Sequence, residues 1–196
     1  MKCVIVLGCY RTGTSAVAGV LHHLGIQMGH EFDPPSSSNP KGYFEDLEFK
    51  RLLHPLLDNS ETVFDPVCQD LVSRREREGH DIWGVKDPKM CCYLRHFLAF
   101  LISEPKIIST ERDIDDICDS MYRAMNPVLD QVSIIKPLVE FYLDAKRQNL
   151  QEYQGDLLEI KFEELSSSPE KIAEFVGLPL TEAANNFIRP SMDGLS

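Results

Sequence analysis

The chain has 196 residues, a length that suits one domain, residues 1–196, with a substantial core. Its net charge of −11 argues against a nucleic-acid polymer or an anionic membrane as partner, because such binding relies on clustered lysines and arginines. There is no leader-like segment and no apolar run of about 18 residues, so we expect no membrane span and a cytoplasmic location. The six scattered cysteines lack zinc-type spacing and are expected to be free thiols.

A strand, a glycine-bounded loop and a helix are predicted at the start of the chain. Gly8 and Gly13 have the spacing of the Walker A pattern G-x-x-x-x-G-K-[ST], and Ser15 stands at its hydroxyl position. Thr14 stands at the lysine position, while Arg11 supplies a cation inside the loop. Backbone amides and a helix N-terminus bind anions without that lysine. The sequence therefore predicts an anion-binding loop that lacks the lysine with which Walker A loops contact a magnesium-bound nucleoside triphosphate.

The loop sequence YRTGTS, residues 10–15, resembles the R-[ST]-G-T-[ST] loop with which sulfotransferases hold 3′-phosphoadenosine 5′-phosphosulfate (PAPS). The resemblance implies that PAPS is the sulfuryl donor and that no metal is needed. It assigns the 5′-phosphosulfate to Arg11, Thr12, Gly13, Thr14 and Ser15. A purely structural turn and a degenerate nucleoside triphosphatase loop are the alternatives for this stretch.

Residues 25–41 are rich in turn-forming residues and show no periodicity, which predicts a long loop near the phosphate site. Such a loop is typical of a lid or substrate loop, and a mobile surface loop is the alternative. The segment NPKGYFE, residues 39–45, resembles the N-P-x-G-[YF]-[FWY]-E segment of bacterial sulfotransferase-like proteins, which implies that Glu45 faces the reaction centre. The plainer reading is that this carboxylate complements the dipole of the helix that follows.

The stretch between the loop and the second strand carries no apparent chemistry. Phe64-Asp65-Pro66 predicts a turn, and residues 67–78 predict a polar surface helix. The charges at residues 74–78 are most simply a solvated face of that helix.

The second predicted strand, residues 82–85, ends at Lys86 and Asp87. Polar residues at the carboxyl end of a strand lie where open α/β sheets bind ligands. Lys86 resembles the lysine of the K-T-H segment of cytosolic sulfotransferases, but Pro88 occupies the histidine place, so a catalytic base must come from elsewhere. A surface pair between Lys86 and Asp87 is the alternative.

A third strand is predicted over residues 105–110, after a buried helix over residues 90–102. Arg112 follows this strand, and Ser120 lies eight positions later, a spacing that resembles the sulfotransferase segment that holds the 3′-phosphate of the donor. A guanidinium fork and a hydroxyl donor suit a phosphate monoester.

The last part of the chain predicts a long helix over residues 131–153, a fourth strand over residues 156–162, and a helix that Ser168 caps. Residues 180–196 are expected to hold one more short helix, and Arg189 is a candidate for the adenosine site. Strands that alternate with helices predict a three-layer, P-loop-like α/β fold with a mostly parallel central sheet.

These motifs together suggest a PAPS-dependent sulfotransferase that transfers a sulfuryl group to a hydroxyl or amine of a small-molecule or glycan acceptor. Arg11 and Lys86 would neutralise charge at the transferred group, and Glu45 would act as general base. Arg112 and Ser120 would anchor the 3′-phosphate.

Several alternatives stay open at this stage. Asp46, Asp87 and Glu31 are other candidate bases. A divergent P-loop nucleotide kinase or NTPase is the second hypothesis, in which Asp87 is the nearest candidate for a magnesium-holding aspartate. A catalytically inactive nucleotide-binding module is the third. The sequence specifies neither the acceptor nor the oligomeric state.

Overall fold

The computed structural model describes residues 2–53, 61–125 and 129–188. Its sheet has four parallel strands: β1 (Lys2–Leu7), β2 (Ile82–Lys86), β3 (Lys106–Glu111) and β4 (Leu157–Lys161). Their order across the sheet is β2-β1-β3-β4. The mostly parallel sheet predicted from the sequence is therefore confirmed.

Helices cover both faces of the sheet. They are α1 (Thr14–His23), α2 (Leu47–Leu53), α3 (Glu61–Arg77), α4 (Met90–Leu98), α5 (Ile114–Met125), α6 (Leu129–Gln151), α7 (Pro169–Val176) and α8 (Glu182–Ile188), with a 3-10 helix (Phe162–Ser167) after β4. One face packs against α1, α7 and α8, and the other against α2 to α6. The expected three-layer α/β fold is thus confirmed. None of the described helices is long and apolar enough to cross a membrane.

Strand β1 is buried on both faces because its side chains alternate between the two cores. Val4 and Val6 pack in one core, while Ile5 and Leu7 pack in the other. The chain leaves β1 to reach β2 on one side and then crosses back to β3 on the other side. The carboxyl end of β1 is therefore a topological switch point, the place where open α/β sheets bind ligands.

The segment over residues 25–41 is less irregular than the sequence predicted. Ile26 and Met28 are buried, and the amide of Gly84 donates to the carbonyl of Gln27 at 2.9 Å. A Cβ atom at Gly84 would collide with the sulfur of Met28, so this glycine permits the close approach. The first residues of the segment are thus fixed along the edge of β2, and residues 31–42 form the loop above the site, hereafter the lid.

Two predictions about α3 are wrong. The helix runs through Phe64-Asp65-Pro66, where the sequence predicted a turn, because Cys68, Leu71 and Val72 pack in the core and tertiary contacts override local propensity. The charged run is also not simply solvated.

Arg75 is buried and forms an ion pair with Asp46. The sequence predicted a solvated position for Arg75 because its partner, Asp46, lies far away in the sequence. Arg189, the candidate for the adenosine site, lies outside the described residues.

Candidate active site

A cleft of about 740 Å³ opens at the carboxyl ends of β1, β2 and β3. The loop after β1, the lid, the end of β2 and the residues after β3 all contribute to it. Its described lining comprises Tyr10, Arg11, Gly13, Thr14, Ser15, Ala16, Asp33, Pro34, Ser38, Asn39, Tyr43, Glu45, Lys50, Lys86, Pro88, Arg112, Ser120 and Phe162. The cleft therefore brings together eight of the nine predicted site residues.

Thr12, the ninth, supports the loop from inside. Its hydroxyl donates to the carbonyl of Cys9 at 2.6 Å and lies 2.8 Å from the hydroxyl of Thr110. A Cβ atom at Gly8 would collide with the Thr110 hydroxyl, so only glycine fits where the loop leaves β1. These contacts fix the loop against β3, and the Thr12 amide also donates to the Cys9 carbonyl at 3.4 Å, so Thr12 supports the loop through both its side chain and its backbone.

The loop has a backbone suited to an anion. Arg11 and Gly13 have positive φ angles of 64° and 94°, a conformation found where successive amides gather into an anion-binding nest. In the described part of the chain, the amides of Gly13, Thr14 and Ser15 donate to no carbonyl. They stand at the first turn of α1, where the helix dipole adds positive potential.

Arg11, Arg112 and Ser120 form one cluster at the side of the cleft nearest β3. The Nε of Arg11 donates to the Ser120 hydroxyl at 2.9 Å, and an Nη of Arg112 donates to the Arg11 carbonyl at 3.0 Å. The guanidinium of Arg112 stacks on Phe162, with 3.8 Å from its central carbon to the ring centroid. Its Nε is buried and has no hydrogen-bond acceptor among the described residues. This unmet, charged donor fits an anionic ligand group.

Lys86 and Glu45 form a second cluster on the side of β2. The Nζ of Lys86 lies 2.6 Å from Glu45 Oε1 and 3.3 Å from the hydroxyl of Ser15. Both charged residues are buried, with 3% and 8% of their surfaces exposed. Lys50 approaches the other oxygen of Glu45 at 3.5 Å and also pairs with Asp33.

None of the three alternative base candidates is among the described residues that line the cleft. Asp46 accepts the amide of Glu48 at 2.8 Å at the start of α2 and pairs with Arg75. Asp87 is buried and accepts the amide of Lys89 at 2.8 Å. Burial, with a smaller contribution from Glu45, raises the pKa of Asp87 to about 6.

Glu31, the third candidate, is exposed at the edge of the lid. Its backbone carbonyl accepts the amide of Leu47 at 2.8 Å, so the residue holds the lid to α2 through its main chain.

The structure adds lining residues that the sequence did not single out. The side-chain amide of Asn39 donates to the hydroxyl of Ser15 at 3.2 Å, and Arg11 donates to the Ser38 carbonyl at 3.3 Å, so the lid contacts the loop after β1 directly. Phe162, at the start of the 3-10 helix, also lines the cleft. Asp33 and Lys50 are far apart in the sequence and gave no signal of their pairing. Among the described residues, no group of three or more His, Cys, Asp or Glu side chains is arranged to hold a metal.

No protein-family model and no curated protein sequence matches the chain. Among solved structures, the sulfotransferase domain of the Synechococcus PCC 7002 olefin synthase is similar at a TM-score of 0.62 and 16% identity, over 99% of this chain and 80% of that one. A sulfotransferase from Mycobacterium tuberculosis H37Rv gives 0.59 and 15%, over 95% and 70%. An unliganded sugar kinase from Janibacter sp. HTCC2649 gives 0.50 and 12%, over 94% and 98%. At these identities the similarity establishes the shared fold, and it confirms the resemblance to sulfotransferases at that level.

Proposed function

We propose that this protein is a sulfotransferase that uses PAPS as sulfuryl donor. The observation that carries the proposal is two groups of hydrogen-bond donors in one cleft, each suited to an anion. The first is the loop, in which the amides of Gly13, Thr14 and Ser15 donate to no carbonyl among the described residues. The second is the Arg112–Ser120 cluster, in which a buried guanidinium nitrogen lacks an acceptor among the described residues. PAPS carries phosphate chemistry at both its 5′ and 3′ ends, and few common nucleotides do.

In this proposal the amides of Gly13, Thr14 and Ser15 hold the 5′-phosphosulfate, and Arg112 and Ser120 hold the 3′-phosphate. Arg11 joins the two sites, since its backbone belongs to the loop and its side chain donates to Ser120. Lys86 lies 3.3 Å from Ser15 and supplies the positive charge that the loop itself lacks at Thr14.

The proposed reaction is an in-line transfer. The bond between sulfur and the bridging oxygen of the phosphosulfate breaks, and the electron pair leaves with adenosine 3′,5′-bisphosphate. A new bond forms between sulfur and the acceptor oxygen or nitrogen, and Glu45 takes the acceptor proton. Positioning and charge stabilisation supply most of the acceleration in such transfers. A well-placed base contributes about 10² to 10⁴-fold.

A nucleotide kinase is the second candidate, favoured by the shared fold of the Janibacter sugar kinase. Against it stands Thr14 at the lysine position of the loop. An inactive nucleotide-binding module is the third. The small-molecule or glycan acceptor, the single domain over residues 1–196 and the cytoplasmic location stay predictions.

The proposal is tested by incubating the protein with sulfur-labelled PAPS and a panel of phenols, monosaccharides and amines, with Glu45→Gln as matched control. We expect labelled product from at least one acceptor class and a loss of at least about a hundredfold in rate with the variant. Transfer at an unchanged rate in Glu45→Gln would remove Glu45 as the base. Binding of PAPS without transfer to any acceptor in the panel would favour the inactive module.

A further inference from the structure

Lys86 lies between Glu45, the proposed base, and the loop after β1, which is proposed to hold the 5′-phosphosulfate. Its ammonium group contacts Glu45 at 2.6 Å on one side and the Ser15 hydroxyl at 3.3 Å on the other. It is almost fully buried, so its contacts are confined to this pocket. The same charge is therefore within reach of the phosphate loop and of the carboxylate proposed as base.

This arrangement limits Glu45 as a base. One of its oxygens is paired with Lys86, and the other lies 3.5 Å from Lys50. Hydrogen bonds from ammonium groups stabilise the carboxylate and make it less ready to accept a proton. Release from one of these partners would therefore make Glu45 a better base.

The contact with Lys50 is the longer of the two, and Lys50 also pairs with Asp33, so the 2.6 Å pair with Lys86 is the main restraint on Glu45. Lys86 has the weaker second contact, a neutral hydroxyl. A phosphate on the loop beside Ser15 would bring a strong anionic acceptor to this same ammonium group. The donor is thus the ligand that can take Lys86 away from Glu45.

We propose that donor binding activates the base: the 5′-phosphate of the donor takes over Lys86 and thereby frees Glu45 for the acceptor. This inference rests on the proposed function and adds a control step to it. It implies that the donor binds before a productive acceptor complex forms. Without the donor, Glu45 stays paired with Lys86 and does not accept a proton from the acceptor.

We call this transfer of Lys86 from Glu45 to the donor phosphate the hand-over. It predicts that Glu45 competes with the donor for Lys86. Removing the competitor by Glu45→Gln should therefore tighten the binding of adenosine 3′,5′-bisphosphate, by about tenfold, the size expected for one charged hydrogen bond. Lys86→Met should weaken it by a similar factor. In the double variant the tightening should vanish, because no lysine is left to compete for.

Asp33→Asn is the matched control. It removes one negative charge from the same cleft, but from a carboxylate that pairs with Lys50 rather than Lys86. A general electrostatic effect would tighten binding equally in both variants, whereas the hand-over predicts a change of less than about threefold for Asp33→Asn. Calorimetry at fixed ionic strength measures the affinities of the wild type and of the four variants.

Equal affinities for Glu45→Gln and the wild type, or tightening that persists in the Lys86→Met background, would overturn the hand-over. If Glu45→Gln does not fold with Lys86 unpaired, Glu45→Asp serves, since it keeps the charge and loosens the pair. Smaller but measurable tightening is then expected, and unchanged affinity contradicts the inference. Failure of the wild type to bind the bisphosphate would refute the proposed function itself, which separates the two outcomes.

Discussion

Replacing Arg112 should remove the preference for a 3′-phosphate. In Arg112→Met an unbranched side chain remains, but the charge and all the hydrogen-bond donors are lost. The wild-type guanidinium donates to the Arg11 carbonyl and stacks on Phe162, and its buried Nε has no acceptor among the described residues. A hydrogen bond from a charged donor contributes about 1.5–3 kcal/mol. Affinity for adenosine 3′,5′-bisphosphate should therefore fall by about 10 to 150-fold.

The assay compares this bisphosphate with adenosine 5′-monophosphate, because the ratio of the two affinities isolates the 3′-phosphate. The monophosphate serves as internal reference for any shift of the loop through the Arg11 carbonyl. Arg112→Lys should recover only part of the ratio, since lysine has neither the fork nor the planar stack. Arg95→Met removes an exposed arginine on α4 and is the charge-matched control. An unchanged ratio in Arg112→Met would refute the assignment of the 3′-phosphate to this side chain.

Three further predictions concern the supports of the site. Phe162→Leu should reduce the ratio of bisphosphate to monophosphate affinity several-fold, while Phe162→Tyr preserves it, because the ring orients Arg112. Equal ratios in the two variants would show that the stack is dispensable. Gly8→Ala should lower the free energy of unfolding by about 1–3 kcal/mol, because the added methyl group collides with the Thr110 hydroxyl. Denaturant titrations measure this change, and a value within experimental error of zero would contradict it. The third concerns Asp87, whose raised pKa of about 6 means that the fold favours its protonated form. Its stabilisation is present below its ordinary pKa near 3.8 and is lost as pH rises through about 6. Wild type should therefore lose of the order of 3 kcal/mol relative to Asp87→Asn between about pH 4 and pH 7, and a constant difference would contradict the buried acid.

The layered fold could be predicted because its signals are local. The apolar run of β1, the glycine spacing of the loop and the apolar spacing of the helices are each visible within a short window. Once the strands are taken as parallel, their carboxyl ends meet at one edge of the sheet. The proximity of Lys86 and Arg112 to the loop follows from that topology.

The detailed pairing of charges could not be predicted in this way. Arg75 belongs to a run that has the composition of a solvated helix face, and only the position of Asp46 at the start of α2 explains its burial. Likewise, the motif makes Glu45 a candidate site residue, but its pairing with Lys86 depends on how the lid returns to β2. Such contacts join residues that are distant in sequence, and no periodicity records them.

The central claim is that the cleft holds a nucleotide with phosphates at both ends and needs no magnesium for it. Calorimetry without magnesium, with adenosine 3′,5′-bisphosphate measured beside ATP and ADP, tests this most directly. The account predicts micromolar binding of the bisphosphate and much weaker binding of the other two. A preference for ATP that appears only on addition of magnesium would contradict it and would favour a kinase.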